Sequence, residues 1–234
     1  MNETPQAKES VKPVQKLRMH RFSTVELLIA LALLLFFFPF VEEVKGGDLI
    51  VSLLLSLVLL SAVLAVANRG RTLIVALLLA IPAIVGRWIN HVRPDLSPPA
   101  VFLIAGLALV AFVVVNLLRF VWRAPSVNME VLCASISAYL MLGLMWTMAY
   151  WLVDQLTPGA FAFNTNAGKE SMNGFNAFYF SFVTLSTVGY GDITPVSKIA
   201  RWLAAMEAMT GLLYVAVLIA RLVSLYSSPK SDDS

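Results

Sequence analysis

The sequence is poor in charge and nearly devoid of cysteine and histidine. Only 13% of its 234 residues are Asp, Glu, Lys or Arg, while 59% are hydrophobic. A soluble domain carries about a quarter charged residues, so this apolar surplus exceeds what one globular core hides, and lipid is the implied solvent. Cys133 is the one cysteine, which excludes an intrachain disulfide and a cysteine-rich metal site. In its apolar run it reads as a small packing residue. The two histidines, His20 and His91, lie far apart, in a basic arm and a polar loop, and read as interfacial residues. No glycine-rich phosphate loop, zinc-type spacing or Ser-His-Asp grouping is present, so no cofactor and no catalysis are expected. Base exceeds acid only by 17 to 14, which gives no reason to expect nucleic acid as a partner.

Long apolar segments fill the sequence instead. After a basic arm at residues 1–21, with Lys8, Lys12, Lys16, Arg18 and Arg21, come Phe22–Val41, Leu49–Ala67, Thr72–Gly86, Ala100–Trp122, Met129–Val153 and Ile199–Leu225. A hydrocarbon layer of about 30 Å needs about 20 apolar residues of helix. Thr72–Gly86 is the shortest of these runs and contains Pro82, a candidate kink. The first run is read as a spanning helix rather than a cleaved leader, because Phe36-Phe37-Phe38-Pro39 is no small-residue cleavage site.

Basic residues tend to stay on the cytoplasmic side. Placing the arm, the Arg69–Arg71 turn and the Arg119–Arg123 turn there together requires Thr72–Gly86 to cross. The expected topology is therefore six spans with both termini cytoplasmic. Trp146, Tyr150 and Trp151 suit an interfacial aromatic belt, and Arg119 and Arg123 read as snorkelling anchors. The fourth span has no arginine from Ala100 to Leu118, whereas a voltage sensor carries arginines repeatedly within the membrane. With a short polar tail at residues 227–234, no cytoplasmic ligand-binding domain is expected. The arm at 1–21 suits anionic lipid as well as simple topology control.

Between the last two spans, Phe175–Ser186 reads as a short aromatic helix. At 1.5 Å per residue it reaches only about half-way through a membrane, and such a half-helix must be buried in protein or line water. Its carbonyl end would give a central cavity negative potential, which suits a cation. The chain then returns as Thr187-Val188-Gly189-Tyr190-Gly191. Replacing a potassium ion's hydration shell requires successive carbonyl oxygens on one axis. Glycine at 189 and 191 removes the cost of the backbone angles this needs. Thr187 can add its hydroxyl, and Val188 and Tyr190 can point back into the pore helices. One chain supplies one wall, so four copies are expected to close the ring.

Thr184-Leu185-Ser186-Thr187-Val188-Gly189-Tyr190-Gly191-Asp192 resembles the signature of the tetrameric potassium channel family, and Thr184–Val223 resembles bacterial two-helix-pore channels in particular. The resemblance covers residues 129–226 and implies an all-α membrane protein with one re-entrant pore helix and filter loop per subunit. It implies K+ held at Thr187, Val188, Gly189 and Tyr190, supported by Gly191, Asp192 and Tyr179, with Asp192 bonded to Tyr179. Val183, four residues before Thr187, is not an acid, so a carboxyl pair known behind the filter of some relatives is not expected. Gly211 stands at the family's inner-helix hinge position, and close helix packing explains a glycine there equally well. Glu207, an acid within a membrane helix, is functional by default; it either faces the cavity to concentrate cations or, the preferred reading, hydrogen-bonds behind the filter. Passive potassium conduction in a bacterial inner membrane is the implied function, with membrane lipid and three further copies of the chain as partners. Residues 22–123 form a four-helix module of unassigned role. A potassium uptake transporter and a non-conducting regulatory subunit are the rivals.

Overall fold

The computed structural model describes residues 23–42, 44, 46–66, 70–92, 99–164 and 171–227. The basic arm, Arg69, Arg93 and the tail lie outside the described residues. The order is α1 (Ser23–Glu42), α2 (Gly47–Val66), α3 (Gly70–Val92), α4 (Pro99–Arg123), α5 (Met129–Leu156), β1 (Phe161–Phe163), α6 (Gly174–Leu185), β2 (Ile193–Pro195) and α7 (Lys198–Ser227). Among the described residues five helices are long and apolar enough to cross a membrane, α1, α3, α4, α5 and α7; α2 carries the shorter apolar stretch Leu49–Ala65. The protein is an integral membrane protein, and its lipid-sized apolar surface explains why so many large side chains stay exposed on the isolated chain, among them Phe36, Leu78, Ile104 and Ile219.

The third run differs from the sequence reading. The polar loop expected after Gly86 is helical as far as Val92, because Arg87, Trp88 and Asn90 all have partners in the fold and Ile89 and Val92 continue the apolar pattern. His91 therefore belongs to the last turn of α3.

The helices pack in an order set by the chain. α1 lies on α2 and α5, α3 on α2 and α4, and α4 chiefly on α5. One apolar core joins them, including Leu27, Leu34, Val58, Leu109, Val113, Leu117 and Met141. α5 begins on an N-cap, with the Asn128 side chain accepting from Val131 N at 2.9 Å, which satisfies one orphan donor of the first turn. Gly143 on α5 lets α6 come close, since a Cβ there would stand 2.5 Å from the Phe182 ring. A second small core around Tyr150, Phe161, Met172, Phe180 and Ile193 gathers the end of α5, the start of α6 and an antiparallel β1–β2 pair. In that pair Ala162 faces Thr194 and Phe163 faces Ile193.

Candidate functional site

The filter segment starts where α6 stops. Its first turns after the helix are tied back to the helix end: Thr187 N donates to Thr184 O at 2.9 Å, and Val188 N and Gly189 N donate to Val183 O at 3.0 and 3.3 Å. Thr187, Gly189 and Gly191 take φ of 60°, 57° and 77°. Left-handed backbone at every second residue departs from the strand alternation that sends successive carbonyls to opposite sides. Glycine adopts it without steric cost at two of the three positions. At Thr187 a β-branched residue sits there, a strain of about 1–3 kcal/mol that surrounding structure must hold.

The outer end of the segment is pinned on two sides. The Tyr179 hydroxyl donates to Asp192 Oδ2 at 2.7 Å, joining α6 to the residue that follows the filter glycines. Tyr190 stacks on Tyr179 with ring centroids 6.5 Å apart and planes 5° from parallel. Opposite, Asn164 Nδ2 donates to Gly191 O and Asn164 N to Asp192 O, both at 2.7 Å. Asn164 follows β1, so the β1–β2 pair carries these donors to the filter. Sequence reasoning missed this residue: it opens the polar run Asn164-Thr165-Asn166, in which nothing local marks one asparagine from the other.

Behind the filter, Glu207 is fully buried. Tyr150 Oη of α5 donates to Glu207 Oε2 at 2.5 Å, and Ser181 Oγ of α6 lies 2.6 Å from Oε1. Ser181 Oγ also lies 2.8 Å from Gly143 O. One carboxyl thus joins the outer helix, the pore helix and the inner helix at a single point. Gly211, one turn further on α7, is buried against the end of α6; a Cβ there would overlap the Leu185 carbonyl oxygen and stand 3.0 Å from its carbon. Leu185 is the last residue of α6, so Gly211 sets how closely the inner helix approaches the base of the filter. Among the described residues no cluster of His, Cys, Asp and Glu is arranged to hold a metal.

The family comparison falls on this same part of the chain. Residues 138–228 match the ion channel family. Protein LctB of Bacillus caldotenax is 29% identical over 126 residues, covering 51% of this chain and 93% of that protein. Two-pore potassium channel 4 of Arabidopsis thaliana is 43% identical over 58 residues, 25% of this chain and 20% of that one. The inward rectifier potassium channel Kirbac3.1 of Paramagnetospirillum magnetotacticum is 27% identical over 95 residues, 39% of this chain and 28% of that one. The chain thus spans less than a third of the length of these two channels. No solved structure matches it. Residues 138–228 are thus similar to an ion channel domain, and potassium channels stand among the proteins this chain resembles.

Proposed function

We propose that four copies of this chain form a potassium-selective pore that conducts passively. The observation that carries this reading is the alternation of left-handed backbone at Thr187, Gly189 and Gly191, directly after a membrane half-helix. That geometry suits K+ coordination by Thr187, Val188, Gly189 and Tyr190, the coordination being completed by the other three subunits. The inner helix supports the assembly: only 11% of the apolar window of α7 is buried within the chain, against 56% for α5. Trp202, Leu212, Leu213 and Val217 are exposed and are available to neighbouring subunits. The proposed topology is six spans, α1–α5 and α7, with both termini cytoplasmic and α6 re-entrant. The proposed location is a bacterial inner membrane, and the proposed channel has no conventional voltage sensor in α4.

Purified protein in potassium-loaded vesicles should pass a barium-sensitive flux with K+ strongly preferred over Na+. Equal K+ and Na+ fluxes would refute selectivity, and no flux from an assembled tetramer would favour a non-conducting subunit. Tyr179→Phe removes one hydrogen bond to a carboxylate, worth about 1.5–3 kcal/mol when fully formed. Because this bond is half-exposed, the expected result is a drop of several-fold in the K+/Na+ permeability ratio with assembly intact. An unchanged ratio would show that the bond does not hold the filter.

A further inference from the structure

The four-helix module meets the pore domain around a cavity of about 70 Å³. Its wall includes Leu34 and Phe38 of α1, Leu59 of α2, Leu103 of α4, Leu144 of α5 and Phe178 of α6. Gly174, the first residue of α6, also lines it, so the cavity lies where the pore helix begins. At its wall the rings of Phe38 and Phe178 meet edge to face, with centroids 5.0 Å apart. The polar side chains around it are already engaged. Ser56 Oγ donates to Ser52 O at 2.7 Å and Thr147 Oγ1 to Gly143 O at 2.8 Å. Arg87 stands over the rings of Phe102 and Trp151, donates from Nε to Ser52 Oγ at 3.2 Å, and has a further partner in the fold.

We propose that this cavity binds a small neutral molecule with an apolar surface, a haloalkane or a small cyclic hydrocarbon. The chemistry of the wall selects a neutral guest. Water stays in a cavity where it finds about two to four polar partners, whereas apolar cavities remain dry and accept apolar guests. Here both hydroxyl protons are given to the helices that carry them, and the guanidinium is held by its own contacts. An ion or a strongly polar molecule would give up its hydration for few new hydrogen bonds. An apolar molecule instead supplies dispersion contacts to a lining that lacks partner atoms on its inner side.

Size narrows the class further. One water needs about 10–15 Å³ of such space, so the cavity holds roughly five to seven non-hydrogen atoms. Cyclopentane and bromoform are of this order, whereas the chains of a bilayer phospholipid are far longer. A guest would lie against Phe38 and Phe178, a contact between the module and the pore helix. Occupancy would therefore bear on the helix that leads into the filter. That consequence rests on the proposed channel function; the binding itself does not.

Trp151 also lines the cavity and gives a direct readout. The full chain, in phosphatidylcholine nanodiscs, is titrated with bromoform, whose heavy atoms quench tryptophan fluorescence. A saturable quench is expected above the linear one that partitioning into lipid gives, and it should be diminished in Trp151→Phe. Cyclopentane, which does not quench, should compete, while propanoate should not. Ala83→Leu fills the cavity from a buried wall position and should abolish the saturable part. Gly106→Ala is the milder filling change: its methyl would stand 3.0 Å from Met148 Sδ, another wall residue, and should raise the half-saturation concentration several-fold. The competition series uses unaltered protein, so it stands even where a variant fails to fold. A quench that stays linear overturns the proposal, as does a half-saturation unchanged by both Ala83→Leu and Gly106→Ala. Competition by propanoate in place of cyclopentane would make the guest an anion and overturns it too. No ion flux is read, so a protein that binds bromoform and fails to conduct sinks the channel reading alone.

Discussion

Glu207→Ala should abolish most conduction by the proposed pore, with barium-sensitive K+ flux reduced at least tenfold and the proposed tetramer dissociating at lower temperature. The physical reason is that the carboxyl receives two hydroxyls from two different helices. Without it, Tyr150 loses its partner and Ser181 keeps only the Gly143 carbonyl, and a void opens where three elements meet. Interhelical hydrogen bonds in membranes contribute about 0.6–2 kcal/mol each, and the cavity adds to the loss. Two such bonds correspond to roughly a tenfold change or more, at about 1.4 kcal/mol per decade.

Glu207→Gln separates position from charge. The amide keeps one acceptor oxygen and turns the other into a donor. One of the two hydroxyls must then reverse its bond or go unsatisfied, so a loss of several-fold is expected, smaller than for alanine. A cavity-facing acid would behave differently. Its neutralisation would lower single-channel conductance and leave the dissociation temperature unchanged. That second pattern would refute the structural role of Glu207.

Gly211→Ala is the other large effect. A methyl group at 211 meets backbone, the Leu185 carbonyl, and also Leu185 Cδ1 at 3.1 Å. Backbone at a helix end cannot rotate aside as a side chain does, so α7 must move away from the pore helix. Forced overpacking costs typically about 1–3 kcal/mol. The expected result is a lower unfolding temperature of the protein together with reduced flux through the proposed pore, and Gly211→Val should be worse. If Gly211 serves only as a hinge, alanine should change open probability while leaving the unfolding temperature where it was. An unchanged unfolding temperature would therefore refute close packing as the reason for this glycine.

Much of the site is legible in the sequence because its chemistry is local. Glycines at 189 and 191 are required by backbone angles of their own residues, and the aromatic half-helix before them is too short to span. The apolar helices are legible for a similar reason, since lipid demands a continuous run of about 20 residues whatever the neighbours are. The end of α3 is less legible, because Arg87, Trp88 and Asn90 look like an interfacial loop until their partners are known.

The sequence by itself therefore determined the membrane character of this protein, the glycine positions of the Thr187–Gly191 segment and the short helix that leads into it. Only the tertiary structure decided where Glu207 points, that Asn164 holds the Gly191 carbonyl, that Gly211 lies on Leu185, and that Arg87 faces Phe102 and Trp151 at the edge of a cavity. The difference is one of range. Backbone conformation and burial in lipid are properties of neighbouring residues, whereas the partners of Glu207 lie 26 and 57 positions away along the chain. Such pairings exist only once helix packing has fixed the distances between elements.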